Sequence, residues 1–339
     1  MSAEAVSIEI NGLQVLASEG VEIVSDLYSP EGSWSVPVAP GTVPVKGGEL
    51  VRVRIADRVE LVGTVGKQTE SYDAKSHSVR LTGSTLAGLL KTSYITSFKA
   101  PPKTLVLADE IYTKSIPYLN RFEAVFHDEA KVANTHAHAS DVGDTSFALL
   151  SEYARNRGLV FWIKPDGTRV YGKVVTDGEP SFRLDGRNIM HGQRTQDWDQ
   201  LHSSVTLVSD GEEGHKKVTA TNDLAPIERP LVAAFNGHSS DLQKQAKEYI
   251  RQEKMRAFSL EYVVTGFSQS GKPWAVNTLC SVDDAVIGLK GTYVVVRTVK
   301  RWNRTDGSTT TLTLGPRLED PFQAFQKHGR RLRHGGGLR

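Results

Sequence analysis

The stretch GELVRVRIADRVELVGTV, residues 48–65, alternates apolar and polar side chains on either side of a short polar break. Val51, Val53 and Ile55 share one face, Ala56-Asp57-Arg58 make a turn, and Val59, Leu61 and Val65 return. Successive side chains of a strand point to opposite faces, so this period of two reads as an antiparallel hairpin with one face buried. The same pattern lies upstream. Val6, Ile8 and Ile10 alternate, Asn11-Gly12 follows, and Leu13 and Val15 resume. Asn-Gly suits a type I′ turn, which needs positive φ at both central residues. Downstream, SVRLTG (78–83) closes the set and STLAGLLK (84–91) reads as one short helix. The first hundred residues are expected to form an antiparallel barrel or sandwich.

Near residue 96 the period changes. TLVLADEIYTKS (104–115) puts Leu105, Ala108, Ile111 and Tyr112 at helical spacing, and Pro117, which lacks an N–H, is expected to stop the helix. DTSFALLSEYARNRG (144–158) is the better helix. Asp144 is the expected N-cap, and Phe147, Leu150 and Ala154 share a face with Leu149 and Tyr153 beside it. Arg155 and Arg157 suit the C-terminal dipole, and Gly158 supplies the left-handed residue after the helix. GLVFWIKPDGTRVYG (158–172) then reads as a strand buried on both faces, a turn at Lys164-Pro165-Asp166-Gly167, and a return from Thr168 to Tyr171. Every residue in it has a structural job, so a small α+β domain is expected here rather than a ligand site.

From about residue 186 strand character resumes with SSVTLVSD (203–210). DLQKQAKEYIRQEKMRAFS (241–259) reads as a helix, with Leu242, Ala246, Tyr249, Ile250 and Phe258 on or near one face. LEYVVTGF (260–267) is a strand before a Ser270-Gly271 turn, and TYVVVRTVKRWN (292–303) with STTTLTLG (308–315) makes a long final hairpin around 304–307. Thr298-Val299 followed by Leu312 and Leu314-Gly315 repeats Thr64-Val65 followed by Val79, Leu81 and Gly83. The repeat suggests two barrels of similar build flanking the α+β insertion.

At 339 residues, with 39% hydrophobic and 24% charged residues, the chain has room for two or three globular domains. No apolar run reaches the ~18–20 residues a bilayer crossing needs, so no membrane insertion is expected. MSAEAVSIEI lacks the basic start and apolar core of a signal peptide. The single cysteine, Cys280, excludes an intrachain disulfide framework and any multi-cysteine zinc site. Net charge is +2, unevenly spread: after Asp320 come Lys327, Arg330, Arg331, Arg333 and Arg339 with no acid, leaving 36 basic against 39 acidic residues before them. A near-neutral body with a basic tail is not the footprint of a dedicated nucleic-acid-binding domain.

Candidate chemistry is sparse. His136 and His138, with His127, Asp128, Asp141 and Asp144 nearby, form the most metal-like cluster, since two histidines two apart on a strand point the same way. Their surroundings, EAKVANTHAHASD, equally read as a polar connecting loop. Cys280 in NTLCSVDD reads as a small buried strand residue. Asp197 and Asp199 have no specific spacing as a glycosidase pair. No GxSxG, phosphate-binding loop or HExxH occurs. Trp162, Trp198, Trp274 and Trp302 read as core or subunit-interface anchors. No catalytic residue and no cofactor is expected. In the tail QKHGRRLRHGGGLR, Lys327, Arg330, Arg331 and Arg333 are candidate partner-binding residues, alongside the alternative of a solvated end.

Taken in order, SVRLTGSTLAGLL, SFALLSEYARNRGLVFWIKPDGTRVYG, NIMHGQRTQDWDQLHSSVTL (188–207), NDLAPIERPLVAAF (222–235), VTGFSQSGKPWAVN (264–277) and the closing hairpin resemble the Mu-like baseplate hub proteins of contractile-tailed phages. The resemblance covers roughly residues 5–322; the 127–141 loop and the basic tail have no counterpart in it. It implies a mainly β fold with two tube-like antiparallel β-barrels and an inserted α+β domain. The first barrel is expected at 1–95 with 186–222, the insertion at 96–185, the second barrel at 223–320 with one helix, and a basic tail at 321–339. It also implies a non-enzymatic homotrimer in the virion tail baseplate, assembled in the host cytoplasm. Three chains of two barrels give a six-part ring adapting the six-fold tail tube, or a tube adaptor, to the three-fold spike beside baseplate wedge proteins. The ring leaves a channel for the tape-measure protein or DNA. The alternatives are a metal-dependent cell-wall hydrolase using His136 and His138, or a receptor-binding tail protein.

Overall fold

The computed structural model describes residues 6–316 apart from 11, 18–19, 30–31, 42–44, 96–101, 115, 117, 134–142, 156, 212–213, 235–241 and 304. The chain is mainly β and falls into two compact units. The first comprises Met1–Val174, Val263–Asn277 and Val296–Leu312; the second comprises Val175–Tyr262, Thr278–Val295 and Thr313–Arg339.

In the first unit β1 (Val6–Ile10) and β2 (Leu13–Leu16) make the expected hairpin, with Ile10 opposite Leu13 and Gly12 at φ +79°. Asn11 lies outside the described residues. β3 (Val21–Asp26) and β4 (Ser33–Val38) follow, and β5 (Leu50–Ile55), β6 (Arg58–Tyr72) and β7 (His77–Thr85) carry the alternation read from sequence. Val51, Val53 and Ile55 are buried as expected. Ladder partners shift between Val53, opposite Leu61, and Arg54, opposite Val59, so Glu60 is the extra residue of a bulge. Glu60 is nonetheless buried, because Lys300 and Arg58 (2.6 Å) pair with its carboxylate.

α1 (Leu86–Thr92) and α2 (Leu105–Thr113) come next, then β8 (Ala124–Phe126), α3 (Asp128–Lys131), α4 (Ser146–Arg155), β9 (Val160–Ile163) and β10 (Arg169–Gly172). The expected hairpin 158–172 forms: Gly167 N–H donates to Lys164 O (2.9 Å), and Trp162 stands opposite Val170. Gly158 has φ +68°, and the Leu159 and Gly158 amides close back onto the Ala154 and Arg155 carbonyls at 2.9 Å each. That is the 6→1 and 5→2 pattern of a glycine-capped helix end. At the other end of α4 the cap is Thr145, whose hydroxyl accepts the Ala148 amide (3.1 Å), and not the expected Asp144. On α2, Leu105, Ala108 and Tyr112 are buried but Ile111 is exposed, because Asp109 turns inward to meet Arg169. Pro117 lies outside the described residues.

The remaining elements are β11 (Phe182–Asp185), β12 (Ile189–Gln196), β13 (Ser204–Gly211), β14 (Gly214–Thr221), β15 (Pro230–Ala234), α5 (Leu242–Arg256), β16 (Phe258–Thr265), β17 (Ser268–Gln269), β18 (Lys272–Pro273), β19 (Leu279–Asp284), β20 (Leu289–Asn303) and β21 (Gly307–Pro316). Phe258 opens β16 rather than extending the α5 face, and Tyr249 is exposed, so Leu242, Ala246 and Ile250 make that face. The Ser270-Gly271 turn has positive φ at both residues, as a two-residue hairpin loop demands.

Within the first unit the strand order runs β20–β3–β4–β7–β6–β5–β1–β2. Here Arg297–Trp302 of β20 pair antiparallel with β3. Four strand spacings separate β4 from β1, about 19 Å in a flat sheet. Yet Val38 of β4 and Ile8 and Ile10 of β1 line one cavity of about 230 Å³. The sheet therefore curls on itself, and Ile8, Val36, Val53, Leu61 and Leu81 fill its interior. α1, α2 and α4 pack with Val62, Phe161 and Tyr171 in an adjoining core, so the α+β segment and the curled sheet are one unit.

In the second unit the order is β12–β16–β21–β20, with β19 on β20 and β11 on β19. A separate sheet, β14–β13–β15, is covered by α5 through Val205, Leu207, Ala220, Leu242, Ala246 and Ile250.

Two expectations need correction. Residues 186–222 do not join the first barrel, and 96–185 is not a separate insertion. Instead β12 pairs within the second unit, β13 and β14 belong to the α5-covered sheet, and β11 pairs with β19. Likewise 223–320 is not one barrel, since Val263–Asn277 and Val296–Leu312 belong to the first unit. Nor is pairing purely antiparallel: β8–β10, β11–β19 and β13–β15 are parallel. Alternation reveals that a segment is a strand; only chain neighbours joined by a tight turn are forced to pair, and to pair antiparallel.

Candidate functional surfaces

Beyond Val65 β6 has lost β5 as a neighbour and pairs with β7 alone, and past Val79 the 71–78 tip of the hairpin leaves the curled sheet. Residues 66–78 are exposed on both faces, although pairing continues to Tyr72 opposite His77. The tip is fastened by its own side chains. Asp73 Oδ1 accepts the amides of Lys75 and Ser76 (2.7 Å each), and Ser76 Oγ donates to Asp73 Oδ2 (2.9 Å). These donors, the Lys75 amide first, hold the Asp73 carboxyl below its ordinary value. Ser71 and Ser78 hydroxyls meet at 3.0 Å across the strands, and His77 Nε2 lies 2.6 Å from Glu70 Oε1. Tyr72 is 83% exposed and meets the His77 ring edge-on. Gln68, Glu70 and Tyr72 alternate onto one face, and Gln68 and Glu70 stand at the edge of the 230 Å³ cavity walled by Ile8, Val15, Val38 and Val79. This projection was missed in sequence. Its signal is the loss of alternation after Val65, with Tyr72 the single aromatic in GKQTESYDAKSHS (66–78).

Two buried polar networks elsewhere are closed. Arg169, Asp109 and Tyr171 satisfy one another inside the first unit. In the second, Glu253 takes the ring and amide of His202. Such internally paired groups hold elements together and present no atom to a substrate.

His136, His138 and Asp141 lie outside the described residues, as do Lys327, Arg330, Arg331 and Arg333. The described neighbours of the histidine pair are engaged: His127 and Lys173 pair with Glu129, and Lys131 with Asp128 (2.9 Å). Among the described residues no cluster of three metal-ligating side chains occurs. Asp197 and Asp199 are joined through a turn, the Asp199 amide donating to Asp197 Oδ1 (3.0 Å). Cys280 is the buried strand residue expected, its thiol pushed up to about 12 by burial. Trp162 and Trp274 are buried and Trp302 packs partly into the first unit's core, whereas Trp198 is half exposed. Among the described residues no helix is long and apolar enough to cross a membrane.

Residues 5–85 match the family described as Mu phage baseplate assembly protein GpP-like, N-terminal. The tail protein of Neisseria meningitidis MC58 is similar in structure over 92% of this chain and 96% of its own, with a TM-score of 0.83 and 25% identity. The 43 kDa tail protein of prophage MuSo2 from Shewanella oneidensis gives 0.81 at 18% identity, over 92% and 98% of the two chains. The E. coli c3393 protein, a type VI secretion component, gives 0.59 at 11%, over 91% and 76%. No curated protein matches the chain. The fold is that of phage tail proteins. Together with the match of residues 5–85 to the N-terminal domain of the baseplate family, this likeness makes the chain similar to Mu-like tail and baseplate proteins.

Proposed function

We propose that this chain is the structural hub of a contractile-type baseplate: a homotrimer whose two β units per chain make a six-part collar. The collar joins a six-fold tail tube, directly or through an adaptor, to a three-fold spike, with wedge proteins around it, in the virion tail. Its function is mechanical and involves no turnover. The observation that carries the reading is the likeness to the Neisseria tail protein across nearly the full length of both chains. The c3393 protein adds support, since it is described as similar to the T4 tail proteins gp27 and gp5. Symmetry supplies the physical reason: three identical chains match six-fold geometry only by presenting two comparable surfaces each. A body of 36 basic and 39 acidic residues up to and including Asp320 suits a channel that lets DNA phosphates pass without trapping them. The basic tail serves as an arm for an acidic patch on the spike or a neighbouring baseplate protein. Light scattering and electron microscopy test the reading: three copies around a central opening are expected, and a monomer or closed dimer rejects it. Removal of residues 321–339 that left baseplate assembly intact would reject the role of the arm.

A further inference from the structure

We propose that the buried Lys300–Glu60 ion pair is a register lock, which selects the one alignment in which β20 joins β3 in the first unit.

Lys300 stands opposite Ile23 in the β20–β3 ladder, so both side chains share the face that lines the core of the curled sheet. Its ammonium meets the carboxylate of Glu60 on β6, 240 residues away in the chain. β6 lies four places from β20 in the order β20–β3–β4–β7–β6, so the contact ties strands that no ladder brings together. Lys300 and Glu60 are 4% and 3% exposed, and Arg58 holds the other carboxylate oxygen at 2.6 Å. Glu60 owes its place to the bulge, as the extra residue between Val59 and Leu61.

A buried pair of this kind is a weak source of stability, because desolvation of both charges offsets their attraction. Its best-attested use is to choose among alignments. β20 needs such a choice. No tight turn joins it to β3, and turn geometry is what fixes register in a hairpin. Its apolar pattern is loose where it meets β3: Thr298, Val299 and Lys300 are buried in succession, so hydrophobicity does not mark one face. A slip of one residue turns every side chain to the wrong face, but a slip of two keeps each on its own. That slip carries Lys300 about 7 Å along the strand, away from Glu60, and puts Thr298 or Trp302 opposite Ile23. Of its two cations Glu60 then keeps Arg58. The outer pairs discriminate less. Arg301–Glu22 at 2.8 Å and Arg297–Asp26 at 3.8 Å are partly exposed, and exposed pairs contribute little.

The test uses the full chain with Cys280→Ala, so that only introduced thiols react. Arg297→Cys is combined with Asp26→Cys, the partner in the observed register, or with Val24→Cys, the partner after a two-residue slip. Each pair is oxidised with copper–phenanthroline and the links are read by peptide mass analysis. With Lys300 and Glu60 in place, only the link between positions 297 and 26 is expected. Glu60→Gln with Lys300→Met removes both charges at similar size, and should let the link between 297 and 24 form as well. Thr298→Lys with Lys300→Thr moves the cation two places, and should make the link between 297 and 24 the major one. A folded, charge-free variant that forms only the link between 297 and 26 overturns the proposal, as does a relocated lysine that leaves that link dominant. If neither variant folds, the pair holds the sheet together without choosing its register, and the proposal fails.

Discussion

Arg169 and Asp109, sixty residues apart in the chain, meet inside the first unit as a two-point ion pair, Nε to Oδ1 at 3.0 Å and Nη2 to Oδ2 at 2.9 Å. Tyr171 donates its hydroxyl to the same Oδ1 (2.6 Å), and Arg169 Nη1 donates to the Leu119 carbonyl (2.6 Å). The pair ties α2 to β10 with almost no water present. Removing one partner strands a buried charge. Asp109→Ala should therefore cost about 3–5 kcal/mol, against about 1 kcal/mol for Tyr171→Phe, which leaves the ion pair whole. Urea unfolding of the purified variants measures both, and an Asp109→Ala loss below that of Tyr171→Phe would contradict this account.

Two glycines should respond differently to alanine. At Gly83 an added Cβ would sit 1.9 Å from the Thr64 carbonyl and 2.7 Å from the Trp34 indole nitrogen, so β7 cannot keep its place against β6 and β4. Gly83→Ala is expected to lose 3 kcal/mol or about that, at the upper end of overpacking effects, with reduced soluble yield. Gly158→Ala meets nothing within 4 Å and suffers only its φ of +68°, a loss of about 1–2 kcal/mol. Melting temperatures rank the two.

Alkaline pH should destabilise the second unit. Burial raises the Cys280 thiol from 9.0 to about 12 and the Tyr293 hydroxyl from 10.0 to about 12. The unfolded chain sheds these protons first, so the stability they contribute is full below pH 9 and falls as pH climbs towards 12. Each group adds up to about 1.4 kcal/mol per pH unit between its two values. Denaturation curves at pH 8, 9.5 and 11 should show the decline, and Cys280→Ala should make it shallower. The native thiol should also resist aromatic disulfide reagents until denaturant is added.

Glu253 on α5 holds the segment ahead of β13. Its Oε1 lies 2.5 Å from His202 Nδ1 and its Oε2 accepts the His202 amide at 3.1 Å. Asn222 Nδ2 donates to the His202 carbonyl from the other side (3.1 Å). Glu253→Ala should cost about 1–3 kcal/mol and speed hydrogen exchange at the His202 amide, because a partly buried donor loses its acceptor. Unchanged exchange there would show that α5 is held by its apolar face alone.

Much of the local architecture was legible. The alternations of β1, β2, β5, β6 and β7, the glycine stop after α4 and the Pro-Asp-Gly turn before β10 each depend on residues within about one turn or strand. Asp109 was not legible, because an acid on an otherwise apolar helix face is explained only by an arginine sixty positions away. The hairpin tip was passed over for a related reason: polar alternation carries no burial signal, so a ribbon exposed on both faces looks like a loop.

By itself the sequence determined that the chain is mainly β, where its clearest hairpins turn, which helix ends on glycine, and that its lone cysteine is buried. Tertiary structure alone decided that β20 pairs with β3 in the first unit and with β19 in the second. It also placed β12 beside β16 and carried the 71–78 hairpin tip beyond the last pairing of β7 with β4. The reason is the range of the forces involved. Turn chemistry and side-chain period act over a few residues, whereas strand partnership is set by which apolar faces close a common core, a choice shared among segments hundreds of positions apart.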